Sequence, residues 1–319
     1  MKRVISREVQ DGGFHSNWPA FAVLILIFMI SGVPEGIAQG TQQADTGGKA
    51  APPVATPTTR PPARSAFSGA GLQRRTWDIG PEMYSFKYEE PGIMEEKGIF
   101  YGVRLGYTIR DWLPASPKKS QSDGGTMFRM EGRLAKGLVD YDGETLDGTP
   151  VKANNIDDFA FEGRLLLGGD ILSGDTLNTL YGGIGYRYLN DDSSIYAGGY
   201  ERESNYLYVP LGYQFDSSHQ IGWSFGFGAE FDFFIAGIQR SHLSNAGLYD
   251  IDNRQNSGYG YRASIRFQHK SKGAIFVIEP FFRYWNIEES EIEYAGYDYY
   301  GLEPANNTRE IGVQLFWKY

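Results

Sequence analysis

The 319-residue chain has no cysteine, only four histidines, and no apolar run longer than the stretch from Ala20 to Ile30. Without cysteine there can be no disulfide, no thiolate zinc site and no lipidated N-terminal cysteine. A run that short cannot cross a bilayer core as a helix. It follows Lys2, Arg3 and Arg7, the arrangement of a secretory h-region behind a basic start. Small residues at Gly36, Ala38 and Gly40 offer cleavage after Ala38 or Gly40, although the stretch before Ala20 is longer than usual for a signal. Residues 1–38 therefore read as a cleaved signal peptide; an N-terminal anchor would need a longer run.

Other absences narrow the chemistry. No serine has the flanking glycines of a nucleophile elbow, and no phosphate loop or dinucleotide fingerprint occurs; Gly226-Phe227-Gly228 lies within a strand pattern with no helix to follow. Asp140-Tyr141-Asp142-Gly143-Glu144 has the acidic spacing of a calcium loop but lacks its remaining ligands, so it reads as a turn. Acidic residues outnumber basic ones, 39 to 30, and the aromatics follow a strand period, which argues against nucleic-acid binding. No cofactor, metal site or catalytic group is expected.

What the chain does have is 41 glycines, 22 tyrosines and 20 phenylalanines, with a mean hydropathy of −0.40. So many aromatics on a polar average are unusual in a water-soluble fold. They suit a barrel in which lipid-facing and lumen-facing residues alternate and cancel, although a soluble β-sandwich could share the composition. Residues 39–75 are rich in Pro, Thr, Ala and Gly and poor in large apolar side chains, so they cannot bury enough surface to fold. They read as a disordered periplasmic tail, basic through Lys49, Arg60, Arg64, Arg74 and Arg75 against Asp45.

From residue 76 the hydrophobic period becomes two. Ten alternating segments can be placed near 77–88, 99–110, 126–141, 158–169, 179–189, 205–215, 221–239, 259–268, 274–286 and 308–319, each about as long as a tilted transmembrane strand. Alternation is cleanest over 259–268, with Tyr259, Tyr261, Ala263, Ile265 and Phe267 outward and Arg262, Ser264, Arg266 and Gln268 inward. It is least clean in the first segment, where Pro81 lacks a ladder donor and predicts a bulge that shifts the phase. From the third segment on, connections alternate long and short, the habit of long external loops and tight periplasmic turns. The connection 111–125 is long where a short turn is due, so eight or twelve strands stay open as counts. The expected fold is all-β, a transmembrane antiparallel up-and-down barrel of about ten strands over 76–319.

The last strand carries a resemblance. Its ending, Glu310-Ile311-Gly312-Val313-Gln314-Leu315-Phe316-Trp317, with Gly312, Leu315, Trp317 and Tyr319 as the marked positions, resembles the barrel-assembly signal of bacterial outer-membrane proteins. Trp77-Asp78-Ile79-Gly80-Pro81-Glu82, Tyr181-Gly182-Gly183-Ile184-Gly185-Tyr186-Arg187-Tyr188 and Glu201-Arg202-Glu203-Ser204-Asn205-Tyr206 extend the likeness to a family of small, largely uncharacterised outer-membrane β-barrels. The resemblance implies a fold, an outer-membrane location in a diderm bacterium, and lipid, lipopolysaccharide and barrel-assembly machinery as partners. It implies no defined activity.

With these phases, Arg104, Arg129, Glu131, Arg133, Glu162, Arg164, Arg187, Glu230, Asp232, Arg262, Arg266, Glu279, Arg283 and Glu310 point inward. Facing lipid, such charges would cost about 2–4 kcal/mol each at the midplane. Facing one another they form a salt-bridged polar plug, while a narrow ion or solute path lined by arginines is the sharper alternative. Trp77, Trp223, Trp285, Trp317, Tyr186, Tyr188 and Tyr284 fall toward strand ends and are expected in interfacial belts.

The outer connections are acidic: 89–98, 142–157 and 190–204 each carry four acidic residues and one basic, and 287–307 carries six acidic and none basic. An acidic rim favours divalent cations or cationic ligands, though a charged loop is usually just a solvated one. Of the histidines, His15 leaves with the signal and His219 and His269 fall in predicted turns; His242 alone sits near the outer rim. Omptin proteases, also ten-stranded, pair a histidine with rim aspartates, so His242 with Asp191, Asp192, Asp250 and Asp252 is a candidate general-base group. The Asp-x-His step expected of that family is absent. The leading expectation is a non-enzymatic barrel with a structural or surface-interaction role; a narrow-pore transporter and an omptin-like surface protease are the alternatives.

Overall fold

The computed structural model describes residues 73–112, 123–144, 148–196, 199–217, 222–271, 273–297 and 299–319. Its strands, in chain order, are β1 (Arg75–Glu90), β2 (Met94–Trp112), β3 (Asp123–Glu144), β4 (Pro150–Ser173), β5 (Thr176–Asp192), β6 (Glu201–Ser217), β7 (Gly222–Ser241), β8 (Ile251–Gln255), β9 (Gly258–Lys270), β10 (Ile275–Ile287), β11 (Glu293–Gly296), β12 (Tyr299–Gly301) and β13 (Asn306–Lys318). Ten of them, β1 to β7 with β9, β10 and β13, pair with their neighbours in an antiparallel ring that closes where β1 meets β13. Closure removes the free edge that an amphipathic C-terminal strand would otherwise present. β8 extends the top of β7, and β11 pairs with β12 in a separate hairpin.

Every predicted segment coincides with one of the ten wall strands, so the strand count is ten. The strands run further than predicted, however, and furthest at one end. β4 reaches back to Pro150 and β3 on to Glu144, so the connection expected over 142–157 shrinks to 145–149. Outward positions in the extension include Asp142, Glu144, Lys152 and Asp157 rather than large apolar residues. Hydrophobic alternation therefore stops before the ladder does, and the extension left no mark that a search for apolar rhythm could register. We call this the loop end and the opposite one, where β1 begins and β13 stops, the terminal end.

Two further expectations are corrected. Pro81 makes no bulge: its strand keeps one register with β2, with Pro81 opposite Val103, and inside–outside alternation passes through it unbroken. The missing N–H is accommodated by a local gap in the ladder to β13, between Ile79–Trp317 and Glu82–Gln314, without a slip. Pro210 in β6 and Pro280 in β10 sit beside equivalent gaps. The one bulge in β7 lies elsewhere, where Leu207 faces Ala236 and Tyr208 faces Phe234, leaving Ile235 as the extra residue. Trp285, expected in a belt, points inward and is buried, since it shares the parity of Arg283 and Ile287 on β10. Trp77, Trp223, Trp317, Tyr186, Tyr188 and Tyr284 do lie on the outer surface. The expected signal peptide, the expected tail before residue 73 and residues 113–122 of the long 111–125 connection fall outside the described residues.

Side chains sort cleanly across the wall. Met83, Tyr101, Val103, Leu134, Leu167, Leu180, Ile184, Leu211, Phe233, Ile265 and Ile311 are exposed on the outside, whereas arginines, glutamates and aspartates are buried within. The seam needs glycine at particular points. A Cβ on Gly80 would come within 1.9 Å of the Leu315 carbonyl oxygen, and one on Gly312 within 2.2 Å of that of Met83. Both contacts are to backbone, which cannot move without opening the β1–β13 ladder.

Gly80→Val is therefore expected to abolish the heat-resistant, compact gel species of a folded barrel. Gly132→Val, with no atom within 4 Å of the added Cβ, is expected to retain it. Equal folded yields from both would contradict the tight seam.

Candidate functional site

The interior is built in levels, because successive inward residues on each strand repeat the same order from terminal end to loop end. Lowest is a polar level. The Arg110 guanidinium pairs with Asp170, whose other oxygen accepts from the Thr179 hydroxyl at 2.5 Å. Arg129 donates to Thr108 at 2.9 Å and Gln214 at 3.2 Å and lies 3.5 Å from Glu131; Arg266 lies 3.2 Å from Asp216.

Above it, six arginines meet seven carboxylates. Arg133 contacts Glu82 at 3.2 Å, Glu162 at 2.9 Å and Glu310 at 2.9 Å, so one side chain joins four strands. Glu310 also receives Arg283 at 2.9 Å and Arg187 at 3.2 Å. Arg262 pairs with Glu162 and lies 3.0 Å from Glu230 and 2.8 Å from Asp232. Arg164 reaches Glu230 at 2.7 Å and Glu131 at 3.4 Å; Arg104 lies 3.4 Å from both Glu131 and Glu279 and donates to Gln314 at 2.7 Å. All fourteen charged residues expected inside lie on these two levels. Between them the groups leave a cavity of about 110 Å³, room for a few waters.

Next comes an apolar level. Loopward of the charges stand Tyr84 and Phe86 on β1, Phe100 on β2, Val139 on β3, Ile156 on β4, Tyr208 on β6, and Trp285 and Ile287 on β10, each no more than 2% exposed. Tyr84 stacks on Phe100 with ring centres 5.2 Å apart, and Tyr208 meets Trp285 edge-on at 4.9 Å. These rings form two clusters, one centred on β1 to β4 and one on β6, β7 and β10, and between them they narrow the section of the barrel.

The highest level is acidic. Arg202 binds Glu90 at 2.9 Å, Glu96 at 3.0 Å and Asp191 at 2.8 Å, and the buried Asp158 stands opposite Asp191 in the ladder. The connection after β10 folds over this mouth. Glu303 accepts from the Tyr88 hydroxyl at 3.0 Å, and the buried Asn253 amide donates to the Glu291 and Gly301 carbonyls, both at 3.1 Å.

Sequence reasoning missed Asp78, Glu82, Arg110, Asp170, Asp216 and this whole upper level. A parity signal existed for Arg110, six residues from Arg104, and for Asp170, eight from Glu162. Glu82 was obscured by the phase shift expected at Pro81. The upper level was lost because the strands were ended too soon.

The four rim aspartates do not converge on His242. Asp191 is engaged by Arg202, Asp192 accepts from Ser194, and Asp252 is gripped by Arg240 at 2.7 and 2.8 Å. Asp250 alone approaches, 3.6 Å from His242 Nδ1. Burial opposes its charge, but the Ser244 backbone N–H and hydroxyl, together with the neighbouring His242, hold Asp250 below the usual carboxylate range. Of the other histidines, His269 packs against Trp223 at the terminal end, and His15 and His219 lie outside the described residues. Asp140 and Asp142 are bonded to the Asn155 N–H and to Lys152.

No family model matches the chain, and no curated protein matches it. Among solved structures, the outer membrane protease OmpT of Escherichia coli aligns over 77% of this chain and 96% of its own, at 12% identity and a TM-score of 0.49. The transport unit of the autotransporter AIDA-I from Escherichia coli covers 76% and 90% at 11% identity and a TM-score of 0.36. A Pseudomonas aeruginosa FadL homologue covers 79% and 91% at 7% and 0.25. Nothing about chemistry passes to this chain from likenesses of this order. Its own geometry defines the class: a closed antiparallel cylinder, apolar outside and ionic inside, is an outer-membrane β-barrel fold.

Removing one shared carboxylate should be far more costly than removing a surface pair. Glu310→Ala, which strips a partner from Arg133, Arg187 and Arg283 at once, is expected to destabilise the barrel by about 3–5 kcal/mol in a urea titration. Lys136→Ala, whose pair with Asp157 is more than half exposed, should cost about 0–1 kcal/mol. Equal midpoints would deny the network its structural weight.

Proposed function

We propose that this protein is an integral outer-membrane barrel that does not conduct, does no chemistry in its lumen, and serves through the acidic surface at its loop end. The observation that carries the reading is the pair of buried aromatic clusters that crowd the lumen between two ionic levels, with a folded connection above. A path for hydrated ions would need a continuous polar gap, and the rings of Phe86, Phe100, Tyr208 and Trp285 occupy that section.

In the membrane the terminal end faces the periplasm, where the barrel-assembly machinery reads the final strand through Gly312, Leu315, Trp317 and Tyr319. Leu315, Trp317 and Tyr319 are exposed on the outer wall, as such a reader would need. Trp77, Trp223 and Trp317 then sit at the periplasmic headgroup level. The loop end faces the exterior, among lipopolysaccharide, and its carboxylates attract divalent cations that also neutralise lipid phosphates. A structural or surface-interaction role follows from a sealed wall with its excess charge outside.

Purified protein in planar bilayers should give no reproducible single-channel steps, and Phe100→Ala should raise the background leak. Steady conductance from the wild type would instead favour the narrow-pore reading. The membrane reading has its own test: Leu167→Arg, at a position 67% exposed on the outer wall, should destabilise the bilayer-inserted barrel by about 2–4 kcal/mol. No change there would place Leu167 away from lipid.

A further inference from the structure

The loop-end rim holds a set of donors that the interior levels do not use. Glu201 and Glu203 are two residues apart on β6, so their side chains leave the same, outer face. The His242 backbone N–H donates to the Glu201 carbonyl at 2.9 Å and so brings the imidazole from the end of β7 onto that face. One donor atom from each of Glu201, Glu203 and His242 lies within 4.8 Å of the others, and His242 Nε2 stands 3.9 Å from Glu203 Oε1. That distance is too long for a hydrogen bond. It is slightly wider than the roughly 3.4 Å between ligands of a tetrahedral ion with bonds of about 2.1 Å.

The surroundings hold these donors in place. The Tyr188 hydroxyl donates to Glu203 Oε1 at 3.1 Å and the Asn190 amide to Glu201 Oε1 at 2.7 Å. On the far side of the imidazole, Asp250 Oδ2 lies 3.6 Å from Nδ1. A carboxylate beside Nδ1 is the outer partner that metal-bound histidines usually have, and Asp250 stands just outside the distance at which it would fix the tautomer with Nε2 free. Here Nε2 is shielded from solvent and has no hydrogen-bond partner, although it faces two carboxylates. A buried imidazole nitrogen set against anionic oxygens calls for a proton or a metal ion between them.

We propose that Glu201, Glu203 and His242 bind one divalent transition ion of the zinc class, with Asp250 as the positioning residue behind the imidazole. An imidazole in the donor set favours zinc or its neighbours over calcium and magnesium, which take oxygen ligands. Three protein ligands leave a fourth position open, and the partly exposed side chains let it face solvent. The ion would tie the chain after β7, including the turn at Leu243–Ala246, to β6. The inference does not depend on whether the lumen conducts.

The test titrates the full-length chain, folded in detergent micelles and stripped with a chelator, with Zn²⁺ against a chromophoric competitor. Co²⁺ is titrated in parallel for its visible absorption. One saturable equivalent, insensitive to millimolar Mg²⁺ and Ca²⁺, with d–d bands of a nitrogen-ligated cobalt, is expected. His242→Ala and Glu203→Gln should weaken it by about 100-fold or more and Asp250→Asn by about 10–100-fold, with heat-modifiable gel migration unchanged. Absence of saturable binding and of cobalt bands in the wild type overturns the proposal. So does equal affinity in the wild type and both ligand variants, which would place the ion elsewhere on the acidic rim.

Discussion

Everything in this barrel answers to one constraint: guanidinium and carboxylate groups cannot face acyl chains, so they turn inward and must satisfy one another across the lumen. Arg133 illustrates the result. Its three carboxylates come from β1, β4 and β13, and of these only β4 adjoins β3 in the ring, so the pairing reaches through the lumen as well as between neighbouring strands. Slipping any of those strands by one residue would carry its carboxylate to the outer face. The ionic level is thus a register device as much as a source of stability. A buried ion pair gains little over an apolar replacement, yet breaking one is severe.

The levels differ in how well their charges balance, and the imbalance has a direction. Six arginines against seven carboxylates leave the middle nearly neutral, whereas Arg202 alone faces Glu90, Glu96 and Asp191 at the loop end. Two aromatic clusters stand between these levels. Negative charge is thus concentrated at the loop end, whose connections are themselves acidic in sequence. Both the attraction of cations to the mouth and the ligand group at Glu201, Glu203 and His242 belong to this end of the molecule.

Much of the fold was legible in the sequence because alternation is a local property. The parity of Arg262, Ser264, Arg266 and Gln268 against Tyr259, Tyr261, Ala263, Ile265 and Phe267 can be read from ten consecutive residues, and β9 follows it. What escaped was of two kinds. Some features follow the strand beyond the membrane, where the outer face carries Lys152 and Asp157 and hydrophobicity no longer marks the ladder. Trp285 escaped differently: an aromatic near a strand end fits a belt or a lumen equally, and only its parity with Arg283 decides. His242 was placed at the rim but with the wrong partners, because its meeting with Glu201 and Glu203, some forty residues away, runs through a backbone bond from His242 to Glu201 that no spacing rule anticipates.

The central claim is that β9 presents one set of alternating residues to lipid and the other to a packed ionic interior. Spin labels placed singly at residues 259 to 267 of the bilayer-inserted protein, with collision rates for oxygen and for a water-soluble nickel chelate, test it most directly. The account predicts a two-residue oscillation, with oxygen contact maximal at 261, 263 and 265 and both reagents excluded at 262, 264 and 266. A flat profile, or chelate contact at 263 and 265 equal to that in the exterior loops, would contradict it.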